Sequence, residues 1–460
     1  MMDNCGKMNK QLDALAKIFF ASAILYPAPS HSATAPPRSA NYEYHGKVSV
    51  GGYAAKEELH SEPQSGTSND YATLSTRLFY QAENKSHVVW TADLRDKNDF
   101  FNKLDKERLQ LTNSNTLQAR EISARRDNNQ QGLLYEAGRY AVPDAGAVYN
   151  DGASLGWRLN PTWSTEGFYG LNPKRPDKSY LEYDPDSKNY GIVLRYIPKS
   201  ENWSRRKMSN TSFVEQADTV GVSRKYLYNQ SVFQWGRDSL VSSMIYLDFI
   251  PRTYVQTALI NYNQEWKNSI QTHATLTAMD VIEYRRQQDV REILTPSPYR
   301  EGKIKALLLT NPTHRWSIST LYGQREYDKK ERQAWIAELQ MPRYLSKNMD
   351  FLFRASTKKE FTKVGNSMEL GLGYYTDDFE LDLLANKGRE KQTDGSYLNP
   401  TIVDGNLGLQ ISKMFFGAGG IQYAHDENVN IVSVYFKLTY RFGNKELPPL
   451  RDGAPPRGRL

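Results

Sequence analysis

The sequence has few of the residues that carry most metal and thiol chemistry. It holds one cysteine, Cys5, which lies ahead of the apolar stretch IFFASAILY at residues 18–26. Lys7, Lys10 and Lys17 precede that stretch and the small residues SHSATA follow it, the order of a secretory signal. Cys5 would leave with the signal, so the exported chain has no disulfides and no thiol catalysis and suits an oxidising periplasm. The seven histidines, His31, His45, His60, His87, His273, His314 and His425, show no metal-ligand spacing. No Gly-rich phosphate loop is present, and no local Ser/His or acid/His grouping marks a hydrolase. Neither a metal, nor a cofactor, nor an enzyme is expected. Long apolar runs are also missing. Past residue 35 no stretch approaches the ~20 apolar residues that a spanning helix needs.

What the chain has instead is alternation. Residues 429–442 read VNIVSVYFKLTYRF. Val432, Val434, Phe436, Leu438, Tyr440 and Phe442 alternate with Ser433, Tyr435, Lys437, Thr439 and Arg441, a period of two that gives one apolar face and one mostly polar face. The pattern recurs along the chain. Leu74, Thr76, Leu78 and Tyr80 oppose Ser75 and Arg77. Ala153, Leu155, Trp157 and Leu159 oppose Ser154, Gly156 and Arg158. Ile192, Leu194 and Tyr196 face away from Arg195, and Phe351, Phe353 and Ala355 oppose Leu352, Arg354 and Ser356. With 30 Tyr and 8 Trp, the chain also has material for aromatic girdles.

Taken with the export signal, the closing strand resembles that of bacterial outer-membrane β-barrels, which typically end in an aromatic residue, here Phe442. In that family the terminal pattern is also the assembly signal, which the resemblance places on Tyr440 and Phe442. The chain departs from the family pattern by continuing for residues 443–460, GNKELPPLRDGAPPRGRL, a Pro/Arg-rich tail expected to be disordered and periplasmic. The expected organisation is a signal peptide at 1–35, a linker at 36–40, the barrel at 41–442 and the tail at 443–460. The expected fold is all-β, a transmembrane antiparallel β-barrel of about 16–20 strands, even in number. Polar segments at 97–114, 172–187, 198–210, 285–301 and 388–404 read as loops. Residues 184–189, DPDSKN, start like a calcium loop, but Pro185 and Lys188 count against one, and they read as solvated loop.

Apolar faces that meet lipid leave the polar faces to a lumen, because a charge in mid-bilayer costs ~2–4 kcal/mol. That puts Arg77, Arg158, Arg195, Arg354, Lys437 and Arg441 inside, with Glu369, Glu380 and Asp382. The segment GRYAVPDAGAVYNDGASLGWRL, residues 138–159, resembles the "G-R … D-G" hairpins of large diffusion porins and of polyanion-exporting barrels such as the alginate exporter. By that resemblance Arg139 and Arg158 are lumen arginines, the connecting segment folds inward, the next strand begins at Asp151-Gly152, and Asp144 or Asp151 pairs with these arginines or narrows the pore. An ordinary hairpin turning at Asp151-Gly152 is the other reading, and Arg139 shares its parity with Leu133 and Tyr135.

The net charge is +7. It fits an anion-friendly lumen or, equally, Lys and Arg at the rims on lipid phosphates. The expected function is a porin-like channel in the outer membrane of a Gram-negative cell, passing hydrophilic, anionic solutes or polymer. A structural or secretion-complex barrel, such as a polysaccharide-export scaffold, and a barrel lipid-modifying enzyme stand as alternatives. Expected partners are outer-membrane lipid and lipopolysaccharide and the barrel-assembly machinery. A homo-oligomer and a periplasmic partner for the tail stay open, and nucleic acid is not expected.

Overall fold

The computed structural model describes residues 42–60, 68–101, 114–126, 131–146, 148–173, 183–198, 207–217, 223–236, 238–249, 253–266, 269–280, 298–311, 314–326, 328–361 and 363–444. The signal and linker at 1–40 and tail residues 445–460 lie outside them, as do Ser204, Arg205 and Arg206 of the basic segment.

The strands follow one another as β1 (Tyr42–Leu59), β2 (Ser68–Asn84), β3 (Val88–Phe101), β4 (Ser114–Arg126), β5 (Gly132–Val142), β6 (Val148–Arg158), β7 (Trp163–Pro173) and β8 (Tyr183–Tyr196). Next come β9 (Lys207–Ala217), β10 (Ser223–Trp235), β11 (Ser239–Asp248), β12 (Tyr254–Trp266), β13 (Ile270–Met279), β14 (Tyr299–Asn311), β15 (His314–Arg325) and β16 (Glu331–Met341). The series ends with β17 (Met349–Lys359), β18 (Lys363–Tyr375), β19 (Phe379–Gln392), β20 (Tyr397–Leu398), β21 (Thr401–Gln410), β22 (Phe415–His425) and β23 (Val429–Gly443). Apart from β20 and β21, which both pair with β19, each strand pairs antiparallel with its neighbours in sequence, and β1 pairs with β23 from His45↔Gly443 to Leu59↔Val429. That last pairing closes the sheet and leaves no edge, the arrangement that satisfies every spanning amide without water.

The staves number 22, even as expected but above the expected range. β20 and β21 are one stave, since both pair with β19 and only Asn399 and Pro400 separate them. Proline has no amide to give the ladder, while its carbonyl still accepts from the Gly388 amide at 2.8 Å. The sequence reading missed β22, where Gly417, Gly419 and Gly420 dilute the alternation, and put part of β21 in a loop. Segments read as loops are also shorter than expected. β3 runs on to Phe101, β7 to Pro173 and β19 to Gln392, while β8 begins at Tyr183 and β9 at Lys207. The calcium-like DPDSKN therefore lies within strand β8, with Ser187 and Asn189 buried.

The alternation sets the two faces of the wall. Leu155 is 64% exposed and its neighbour Ser154 4%. Phe436 and Leu438 are exposed, while Ser433 and Thr439 are buried on the other face, where Thr439 Oγ1 lies 3.1 Å from Ser49 Oγ. At the seam Tyr440 packs on Phe415 at 4.7 Å and on Phe442 at 6.1 Å, and Phe442 stacks with Tyr80.

Both ends of the barrel chain lie at one rim. The connection 197–206 belongs to that rim, while the two longest connections, 102–113 and 280–298, belong to the opposite rim together with 60–67 and 174–182. There the β15–β16 turn is held by Arg325, whose Nε donates to Asp328 Oδ1 at 2.9 Å, and by the Lys330 amide at 3.2 Å. These donors lower the Asp328 carboxyl from 3.8 to about 2. A depressed carboxyl stabilises the turn above its unfolded value and loses that contribution as pH falls toward the folded one. Hydrogen-exchange protection at Lys330, corrected for the intrinsic rate, should therefore fall between pH 4 and pH 2. Asp328→Asn should remove that dependence.

Candidate functional site

Among the described residues, β5 and β6 leave the wall at their shared tip. β5 pairs with β4 only from Ile122↔Arg139 to Arg126↔Tyr135, and β6 pairs with β7 only from Asp151↔Leu171 downward. Beyond those points the hairpin tip leaves both neighbours and turns into the lumen. The bend falls where Gly138, Gly152 and Gly170 stand side by side on β5, β6 and β7. Gly138 has φ 117°, and a Cβ there would strike the Ile122 carbonyl oxygen of β4. A single 3-10 turn, Pro143–Ala145, forms the tip and ends on Gly146 in the left-handed region.

The tip docks against the lumen face of β7 to β11. Tyr140, Val142, Ala145 and Val148 form a buried core with Phe168, Val193, Val214, Tyr226 and Tyr228. The Tyr226 hydroxyl donates to the Ala145 carbonyl at 2.9 Å, and Asn150 Nδ2 to the Tyr140 hydroxyl at 3.1 Å. Asp144 is the polar anchor. It accepts from Arg195 Nε and, at 2.6 Å, from Asn210 Nδ2, while Arg195 Nη1 reaches Glu166 Oε2 at 2.5 Å. Beside the tip a cavity of about 420 Å³ is lined by Tyr149, Asn172, Gln216, Arg224, Tyr246 and Gln256. Arg224 lies 4.4 Å over the Tyr226 ring, and its Nε donates at 3.1 Å to the fully buried Asp248.

Arg139 and Asp151 do not line the open lumen. They are direct cross-strand neighbours joined by two hydrogen bonds of 2.6 and 2.5 Å. Their parity is that of the exposed Leu133, Leu155 and Trp157, and Arg139 Nη1 also donates to the Ala119 carbonyl on the upper half of β4. The pair thus sits between the departing hairpin and the wall it leaves. Asp151-Gly152 lies inside β6, which begins at Val148, so neither the turn reading nor the strand-start reading of this dipeptide holds.

Six of the expected lumen cations do have lumen parity, but most are occupied. Arg195 is locked at the hairpin. Arg158 shares its face with buried Ser154. Arg354 bonds Glu338 Oε2 at 2.9 and 2.7 Å and Glu369 Oε1 at 2.8 Å, and Lys305 adds a contact to Glu338 at 3.2 Å. Two cations and two carboxylates cancel there. Arg77 holds Asp93 through contacts of 2.7 and 2.5 Å. Around Arg77, however, a basic stripe forms from Lys47 of β1 and Lys437 and Arg441 of β23, all within electrostatic reach of Lys47. Lys437 and Lys47 are exposed, and neither forms an ion pair with a carboxylate among the described residues. The neighbouring wall is acidic, with Glu380 and Asp382 of β19 and Asp404 of β21 on the lumen face, and Asp382 accepting from the Tyr375 hydroxyl at 2.5 Å. Lys47 was missed in the sequence. Its signal was the alternation of Val48 and Val50 with Lys47 and Ser49.

No protein-family model matches the chain, and no curated protein matches it. Among solved structures the barrel is similar to a mutant form of the ferric enterobactin receptor PfeA from Pseudomonas aeruginosa, with a TM-score of 0.52 and 11% identity over 87% of this chain and 80% of that one. It is likewise similar to the P pilus usher (PapC) translocation pore, with a TM-score of 0.50 and 7% identity over 86% of this chain and 99% of that one. At such identities what is shared is the fold, a closed antiparallel barrel of the outer-membrane kind.

Proposed function

We propose that the protein is an outer-membrane channel that passes hydrophilic, anionic solutes. The membrane reading is supported by the exposed apolar rows on a closed sheet, which are costly in water and fitting in hydrocarbon. The rim with the two longest connections then faces outward, and the rim with both chain ends faces the periplasm. The observation that carries the anion preference is the stripe of Lys47, Arg77, Lys437 and Arg441, which Asp93 compensates only in part. Fixed positive charge beside water lowers the barrier for anions. The acidic residues of β19 and β21 lie on the same side of the barrel, three and two staves from β23, so the field changes sign along the wall there. The inward hairpin narrows the bore from the side of β7 to β11.

Purified protein in planar bilayers is expected to give ohmic conductance with anion preference at low salt, where screening is weakest. Changing Lys47 and Lys437 together to glutamate should reverse the preference. An unchanged reversal potential would remove the stripe from the mechanism. A bilayer that stays silent would favour a closed scaffold or secretion barrel.

A further inference from the structure

On the outward face between β15 and β19, one row crosses five strands in register: Ile318, Ala337, Ala355, Met368 and Lys387. The next row toward the long-loop rim is Thr320, Trp335, Thr357, Asn366 and Arg389. Ile318, Trp335 and Met368 stand out from the wall, while the two alanines between them do not. The result is a groove of about 670 Å³. Toward the other rim the outward face is apolar, with Leu339, Phe353, Leu370 and Ala385. Toward the long-loop rim it becomes mixed, with Gln333, Lys359 and Lys391 in one row with the exposed Tyr322 and Val364. The groove therefore ends at the level where charged side chains enter the outward face, and its upper end is basic.

Lys387 and Arg389 are both exposed, and neither forms an ion pair with a carboxylate among the described residues. Arg389 is held with its guanidinium 4.5 Å over the Tyr397 ring. Two cations at the upper end of an apolar trough, one of them held on an aromatic ring, match an acyl chain joined to an anionic headgroup, since each base near a charged lipid surface attracts it.

We propose that this groove is a specific site for a phosphorylated, acylated lipid of the outer leaflet. One acyl chain lies over Ala337 and Ala355 between Trp335 and Met368, and Lys387 and Arg389 hold the phosphate. The assignment rests on the membrane reading above but not on conductance.

The test uses the full-length folded barrel, delipidated in lauryldimethylamine oxide, with native mass spectrometry as the readout. The probes are bisphosphorylated hexa-acyl lipid A and the same lipid stripped of its phosphates. The wild type should retain the phosphorylated probe, and the dephosphorylated one should bind on the order of tenfold more weakly. Lys387→Gln with Arg389→Gln should abolish that difference. Ala355→Leu, which fills the trough, should weaken both probes. A heat-resistant folded band in gel electrophoresis establishes that each variant is assembled. Equal retention by wild type and the double variant, equal affinity for the two probes, or no effect of Ala355→Leu would each overturn the site. Conductance is not read, so a silent bilayer leaves this result intact and a negative lipid result leaves the channel intact.

Discussion

Arg195→Ala is expected to lower the stability of the barrel by about 3–5 kcal/mol, the usual loss when one partner of a buried ion pair is removed. Arg195 bridges Asp144 and Glu166, and the three side chains are 17%, 22% and 13% exposed. Without the guanidinium, two carboxylates face each other in a site that little water reaches. Asn210 can still donate to Asp144, but it brings no charge. Because Asp144 sits in the hairpin tip and Arg195 in the wall, the same substitution should free the tip from β8. Denaturant unfolding in detergent gives the stability term, and open-channel noise should rise as the tip moves. Replacing Arg195, Asp144 and Glu166 together by apolar residues of similar size should recover most of the stability, since a well-packed apolar site often matches a buried ion pair. A loss below about 1 kcal/mol for Arg195→Ala would mean that the hydrophobic packing of Tyr140, Val142 and Val148 holds the tip by itself.

The sequence made the wall legible and the lock illegible, for a physical reason. Alternation reports which face a residue takes on its own strand, so the lumen parity of Arg77, Arg158, Arg195, Arg354, Lys437 and Arg441 could be read directly. It does not report what stands across from that residue. Glu338 reaches Arg354 from β16, and Glu166 reaches Arg195 from β7, through registers that no local pattern encodes. An arginine that reads as pore lining can thus be spent on a neighbour. The hairpin exposes a second limit. Arg139 and Asp151 are in phase with lipid-facing residues, yet they stand at the last pairs their strands make with the wall, where the hairpin begins to turn inward, so parity no longer maps to lipid or lumen. The contact that identifies the inward fold joins Asp144 to Asn210 across 66 residues of chain. The glycines at 138, 152 and 170 were in plain view, but only the strand register shows that they form a line.

That line gives the second large effect. Gly138 and Gly132 both occupy a positive-φ region, at 117° and 147°, where a side chain is strained. They differ in surroundings. Around a Cβ at position 132 nothing lies within 4 Å, whereas at 138 it would run into the Ile122 carbonyl. Gly132→Ala should therefore carry only the backbone term, about 1–2 kcal/mol. Gly138→Ala should carry that term plus the displacement of β4, about 3–4 kcal/mol in total. The backbone carbonyl cannot swing aside as a flexible side chain would, so relief has to come from straightening the hairpin or moving the wall. A straightened hairpin would pair further with β4 and β7 and withdraw from the lumen, and single-channel conductance should then rise along with the loss of stability. Gly132→Ala should leave conductance unchanged. Equal stability losses in the two variants, with equal conductance, would mean that the bend is set by the docking of the tip and not by close approach of strands at the glycine line.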